Sequence, residues 1–333
     1  MEKRPSTVLV YVGLDRVGDS LLKLPFVRGL RTAFPEARIT WLAGKETSVY
    51  ATIMAPVAAG LLDEVIENAG VGRTPGELWR RPLNGRRFDL IIDTQRILWA
   101  SLSLWRIPHQ TFISPAARFM LSSKKPPKGY RFPPSMQRQM LDLLELASGR
   151  CFATPEVLDL EPGRTAAEAA ARLLPDGPVY VGIAPGSGGA PKCWPLNNFV
   201  ALAGEQAARG RIPVFVLGPK EADWKDDLQR DVPEALFPLQ TENHDFSPLF
   251  TIALAKRFAA AVANDSGAGH MFAVSGTPLV SLFGRTAAEK FRPMSRRLTI
   301  IKAQDYGGRE LCFIPVDSVI EAVEKALESD SLT

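Results

Sequence analysis

Apolar residues recur along the chain in two rhythms, short unbroken runs and runs spaced by three or four. Residues 8–12 are all apolar and predict a buried strand, Thr7–Val12. Over residues 20–34, Leu21, Leu24, Val27 and Leu30 fall three apart, which predicts a helix stopped by Pro35. Strand-like segments follow at 38–42, Phe88–Asp93 and His109–Ile113, with helix-like segments at 47–59 and 97–105. Strands without polar alternation, separated by helices, imply a parallel sheet covered on both faces.

A proline-rich polar stretch at 122–134, holding Lys124, Lys125 and Lys128, reads as a mobile loop or a basic contact segment. A helix is predicted over 135–147 and a linker over 155–163. The rhythm then restarts. Strands are expected at 179–184, 213–217, 259–263, 278–283 and Leu298–Lys302, and helices at Leu196–Ala208, 269–274 and 316–327. The economical α/β architecture is two Rossmann-like domains, 1–160 and 161–333, with a cleft between them and ligands beyond the carboxyl ends of the strands. A length of 333 residues suits two such domains.

Composition narrows the class. No window approaches the roughly 20 apolar residues of a membrane span. The start, Met1 to Pro5, reads as no signal peptide, and the expected location is the cytoplasm. Cys151, Cys193 and Cys312 are too scattered for a disulfide frame or a zinc site. Charge is unevenly spread: residues 1–165 hold 23 Lys and Arg against 16 Asp and Glu, and the remainder 17 against 20. A basic first half beside a weakly acidic second half fits an anionic partner for the first, such as a phosphorylated lipid or a membrane surface. Nucleic acid binding would need a larger basic excess with interleaved aromatics.

Three stretches at predicted strand ends could carry chemistry. The first, Gly13-Leu14-Asp15-Arg16-Val17-Gly18-Asp19-Ser20, has the glycine spacing of a phosphate-binding P-loop, but Asp19 replaces its lysine and would repel phosphate. Asp19 then reads either as a helix N-cap, which spacing alone favours, or as a general base favoured by the helix N-terminus. Asp15 and Arg16 could pair beside it. The second, Ala184 to Pro195, offers close backbone approach at Gly186, a hydroxyl at Ser187 and a cation at Lys192, a plausible diphosphate cradle. Trp194 reads as a core anchor. In the third, Asn264 to His270, Ser266 and Gly267 make an anion seat, Asp265 could hold a sugar hydroxyl or cap the helix, and His270 could meet a phosphate or be structural. There is no Asp-x-Asp pair for a metal–diphosphate and no metal-ligand spacing.

The stretch Leu14–Thr40 resembles the start of the bacterial ADP-heptose:lipopolysaccharide heptosyltransferases, glycosyltransferase family nine, in Gly18, Asp19, Pro25, Phe34, Pro35 and Ala37. P-G-S-G-G-A-P-K-C-W-P, N-D-S-G-A-G-H-M and P-L-V-S-L-F-G resemble that family's donor motifs, in order and at the right spacing. The resemblance implies a GT-B fold and an inverting transfer of heptose without metal or other cofactor. It implies Asp19 as catalytic base, with Arg16 and Gly18 on the acceptor side. It carries Gly186, Ser187, Lys192, Asp265, Ser266, Gly267 and His270 over as donor contacts, with Glu221 a weaker candidate for the ribose. The implied partners are ADP-heptose, a phosphorylated lipid or oligosaccharide acceptor and the inner surface of the inner membrane.

The chain departs from that pattern where Gly284-Arg285-Thr286-Ala287-Ala288 replaces Gly-Pro-Thr-Asp-Pro, and again over 240–248. Two alternatives therefore stand: transfer from another nucleotide sugar, and a non-catalytic nucleotide-sugar binding protein. Retention of both Asp19 and Lys192 speaks against the second.

Overall fold

The computed structural model describes residues 4–328 except 45, 72–73, 80–81 and 242–246. Residues 1–3, part of the N-terminal reading, and most of the divergent stretch at 240–248 thus lie outside the described residues. Contacts divide the chain into two compact units, Met1–Thr154 and Pro155–Thr333.

The first unit carries strands β1 (Thr7–Val12), β2 (Arg38–Ala43), β3 (Glu64–Ile66), β4 (Phe88–Asp93) and β5 (His109–Ile113). Its helices are α1 (Val17–Ala33), α2 (Ala55–Ala58), α3 (Leu98–Trp105) and α4 (Met136–Ser148). The sheet order is β3-β2-β1-β4-β5 and every pair is parallel. β1 is central, and Val8 to Val12 are fully buried, which is why the strand reads as one apolar run. On one face Leu9, Tyr11 and Ile91 pack on Ala100 and Leu104 of α3.

The helix expected over 47–59 is instead a turn at Val49–Ala51 followed by the four-residue α2. Ser48 interrupts it: its side chain accepts the Tyr50 N–H and donates to Asp15. The proline-rich stretch is tied down. Lys125 donates to the carbonyls of Phe119 and Met120, and the Tyr130 hydroxyl donates to Asp142 at 2.6 Å.

The second unit carries α5 (Arg164–Leu173), β6 (Tyr180–Ala184), α6 (Leu196–Ala208), β7 (Ile212–Phe215), α7 (Lys225–Asp231) and α8 (Pro248–Ala255). It continues with β8 (Phe258–Asn264), α9 (Gly267–Val274), β9 (Leu279–Phe283), α10 (Ala288–Phe291), β10 (Leu298–Lys302) and α11 (Val316–Glu328). The order β10-β9-β8-β6-β7, again all parallel, is the other common doubly wound arrangement. Successive strand residues face opposite ways. Val181, Ile183 and Val262 join Phe199 and Val323 under α6 and α11, while Tyr180, Ala184 and Ala263 join Leu254 and Phe272 under α8 and α9.

In each sheet the winding reverses at the centre, between β1 and β4 in the first and between β6 and β8 in the second. The loops leaving those strands diverge there and open a crevice for a ligand.

Candidate functional site

In the first unit the turn after β1 comes close to the loop after β4. A Cβ at Gly13 would stand 3.0 Å from Oε1 of Gln95, so the glycine leaves room for the Gln95 side chain to lie close against the turn. Asp15, only 2% exposed, accepts from Trp41 Nε1 at 2.9 Å, from Lys23 Nζ at 3.0 Å and from the Ser48 hydroxyl. Asp15 therefore pairs with Lys23, not with Arg16. Arg16 is exposed and faces Glu46 at 3.8 Å. The sequence gives no hint of this because residues 15 and 16 are neighbours, whereas the helix brings Lys23 back over the turn.

The same turn settles the cap question. The N-cap of α1 is Arg16, with extended backbone and no side-chain cap, and Gly18 and Asp19 fill the second and third helical positions. Asp19 is half-buried and makes no side-chain hydrogen bond or ion pair to any described residue. A carboxylate placed among the free N–H groups of a first turn, without a protein partner, is open to an incoming proton donor. Across the crevice, Asp93 is fully buried and accepts from the hydroxyls of Ser101 and Ser114 and from the Gln95 N–H at 2.8 Å. Burial outweighs those bonds and pushes its carboxyl up to about 6.

In the second unit Asn264, the last residue of β8, joins two loops. Its Oδ1 accepts the Trp194 N–H at 3.0 Å and its Nδ2 donates to the Pro185 carbonyl at 2.7 Å. This residue was not among those expected from sequence. The Trp194 indole donates to the Ile314 carbonyl at 2.9 Å and is buried, the core anchor its position suggests. Between the two anchored ends, Gly186 and Ser187 lie beside the β8–α9 turn, where the Ser187 hydroxyl approaches the Asp265 carbonyl at 3.5 Å. Ser266 is the N-cap of α9, so Asp265 is not. The Ser266 Oγ is buried with no hydrogen-bond partner among the described residues. An unpaired hydroxyl beside the amide of Gly267 is an arrangement whose chemistry suits an anion.

Glu221 reaches the same place from the loop after β7. A Cβ at Gly186 would fall 2.6 Å from its carboxyl carbon, so the glycine makes room for it. Burial raises the Glu221 carboxyl above its ordinary range. Burial, and then Glu221 itself, raise the Cys193 thiol. Ser187, Cys193, Trp194, Lys220, Glu221 and Trp224 are among the walls of a pocket of about 310 Å³. Lys192 lies on the same loop with its side chain in solvent. His270, one turn into α9, is buried, and burial pushes it down to about 4. It is neutral at pH 7 and offers a phosphate a single N–H, not a charge. Arg285, after β9, is paired with Glu310. Among the described residues no three His, Cys, Asp or Glu side chains gather as a metal site, and no helix is long and apolar enough to cross a membrane.

Two doubly wound parallel units, each with its crevice at the strand carboxyl ends, define the GT-B fold. The chain aligns with lipooligosaccharide heptosyltransferase 2 of Haemophilus influenzae at 23% identity over 312 residues, 88% of each protein. Its fold matches the crystal structure of a glycosyl transferase family 9 protein from Veillonella parvula, with a TM-score of 0.72, 20% identity and 99% of each chain covered. It also matches the E. coli ADP-heptose lps heptosyltransferase II, with a TM-score of 0.68, 19% identity and 98% and 99% of the two chains covered. Residues 77–311 match glycosyltransferase family 9 (heptosyltransferase), and the chain belongs to that family of glycosyltransferases.

Proposed function

We propose that the chain is an inverting, metal-independent heptosyltransferase that moves heptose from ADP-heptose to a hydroxyl of a phosphorylated lipopolysaccharide-core acceptor, with Asp19 as base. The observation that carries this is the Asp19 carboxylate, without a partner among the described residues, in the first turn of α1 at the carboxyl end of the central strand of a family 9 chain. The first unit takes the acceptor and the second the donor.

The acceptor oxygen attacks the anomeric carbon opposite the diphosphate. Its proton passes to Asp19, the anomeric C–O bond breaks and ADP leaves with the electron pair. The leaving charge is met by the Ser187 and Ser266 hydroxyls, the Gly267 amide at the start of α9 and the Lys192 ammonium. Neutral His270 donates one hydrogen bond, Asp265 holds a sugar hydroxyl, Glu221 takes the ribose and Gly186 lets the backbone approach. Arg16 and Gly18 border the acceptor.

The acceptor's lipid places the enzyme on the cytoplasmic face of the inner membrane. Helix α3 supports this, because Leu98, Trp99, Leu102 and Trp105 form one outward stripe that ends at exposed Arg106. Tryptophan beside a cation suits the interface of an anionic membrane.

A different donor sugar is favoured by one observation: Arg285, paired with Glu310, stands where the family pattern has proline. Titrating the chain with ADP, UDP, GDP and CDP tests this, since selective stabilisation by a nucleotide other than ADP names a donor other than ADP-heptose. The base is tested with Asp19→Asn. Transfer from ADP-heptose should fall by at least about 10²-fold while ADP affinity stays unchanged, and an active variant would sink the assignment.

A further inference from the structure

The loop after β4 ends in a cation held in a way the proposed reaction has not used. The Arg96 guanidinium carbon lies 3.5 Å from the centroid of the Phe132 ring. Its Nη2 donates to Gln139 Oε1 at 2.9 Å, and Gln139 is itself oriented because its Nε2 donates to the Pro133 carbonyl at 2.6 Å. Phe132 is locked in turn. It stacks on Phe119 at 5.6 Å with the rings 10° from parallel, and Tyr130 meets it edge-on at 5.4 Å.

The backbone beneath this platform is strained. Ala117, Arg118 and Phe119 have φ of +46°, +55° and +64°, three successive left-handed residues without a glycine. Such a conformation persists only where the surroundings determine it. Here the outcome is to set Phe119 under Phe132.

Arg96 has no carboxylate partner among the described residues. Stacking occupies one face of the guanidinium and Gln139 one N–H, which leaves donors along its edge for a planar, two-pronged anion. Partial burial lowers its pKa, and the nearby Tyr130 offsets only part of that. The pocket it borders measures about 50 Å³, with Lys23, Thr94, Gln95, Pro115 and Met136 among its walls. At ~10–15 Å³ per water, that is room for a small charged group, not a nucleotide. Lys23 adds no free charge, being committed to Asp15. Gln95 lines this pocket and its side chain lies against Gly13, so the pocket shares a wall with the turn that leads from β1 into the start of α1.

We propose that Arg96, on its Phe132 platform, binds a carboxylate or phosphate substituent of the acceptor sugar and selects acceptors that carry one. The proposal rests on the first unit taking the acceptor. The neutral edge of Gln139 and the aromatic stack keep the guanidinium in one orientation, so little freedom is lost when the anion arrives.

The test uses the full chain and three probes, glucose 6-phosphate, glucuronate and glucose, followed by ligand-observed NMR, with ADP titrated separately. The wild-type chain should bind one or both anionic sugars and not glucose. The preferred anion shows whether the substituent is a phosphate or a carboxylate. Arg96→Gln should weaken that binding about ten- to a hundredfold, the worth of a charge-assisted pair, and leave ADP affinity unchanged. Arg96→Lys should recover only part of it, because an ammonium neither stacks nor binds in a fork. Equal binding of glucose and the anionic sugars, or anion binding that survives Arg96→Gln, overturns the proposal. If Arg96-dependent binding is seen but no transfer from ADP-heptose occurs, the proposed reaction fails and the anion site stands.

Discussion

Asn264 grips the Trp194 main chain: its Oδ1 takes the Trp194 N–H at 3.0 Å, while its Nδ2 reaches the Pro185 carbonyl at 2.7 Å. One buried amide thus sets both ends of the loop that carries Gly186, Ser187 and Lys192. Asn264→Ala should cost about 1–3 kcal/mol for each buried group left without a partner. Asn264→Asp keeps the acceptor and loses the donor. Both variants should melt several degrees lower and be stabilised less by ADP than the wild type. Unchanged stabilisation by ADP would show that the loop needs no such brace.

The Asp15–Lys23 pair is almost wholly buried, with side-chain exposures of 0% and 5%. Removing one partner strands the other. Lys23→Met or Asp15→Asn should destabilise the protein by about 3–5 kcal/mol. In urea unfolding the midpoint should fall at constant slope. The double variant should cost less than the sum of the two singles, because the second change removes a charge already stranded.

His270 and Asp93 predict opposite responses to acid. His270 is held down to about 4, below its ordinary 6.5. The unfolded chain takes up the proton first, so this stability is complete above pH 6.5 and is lost as pH falls through about 4, about 3 kcal/mol in all. Asp93 is held up to about 6, above its ordinary 3.8. Its contribution is complete below pH 3.8 and is lost as pH rises through about 6, again about 3 kcal/mol. Stability measured from pH 4 to 7 should rise less steeply with pH in His270→Gln. In Asp93→Asn it should rise more steeply. Parallel profiles for wild type and variants would refute both assignments.

The α3 stripe predicts membrane association. Trp99→Ser with Trp105→Ser should reduce co-sedimentation with vesicles containing anionic lipid several-fold, and ADP binding should not change. Wild-type binding should weaken as salt rises.

The central strands were legible because each is largely buried on both faces and so reads as an apolar run, as Phe88–Asp93 does; the edge strands His109–Ile113 and Leu298–Lys302, only partly buried, also fall at their expected bounds. β3 was not, being three half-buried residues with no pattern to detect. Helix α5 was missed because its sequence, R-T-A-A-E-A-A-A-R-L, contains alanine where larger apolar residues would mark a face. Helix α8 is buried nearly all round and shows no period.

At the site, glycine and serine turns at strand ends announce themselves locally. Partners do not. Asn264 lies 79 residues from Pro185, and Gln139 lies 43 from Arg96, so only folding shows what they hold. Asp19 was first favoured as a cap because residue spacing cannot fix where a helix begins to within two positions.

The nucleotide seat proposed for the second unit is framed by main chain: the turn at Ser266–Gly267, the loop from Pro185 and the start of α9. Any sequence that folds this way inherits those amides, whatever side chains surround them. A frame written in the backbone survives drift that would erase a cluster of charged side chains, and structures near 20% identity share this fold. Under the proposed function, change of sugar or acceptor would then fall to side chains at the margins, such as Glu221, Arg285 and Arg96, while the frame beneath stays the same.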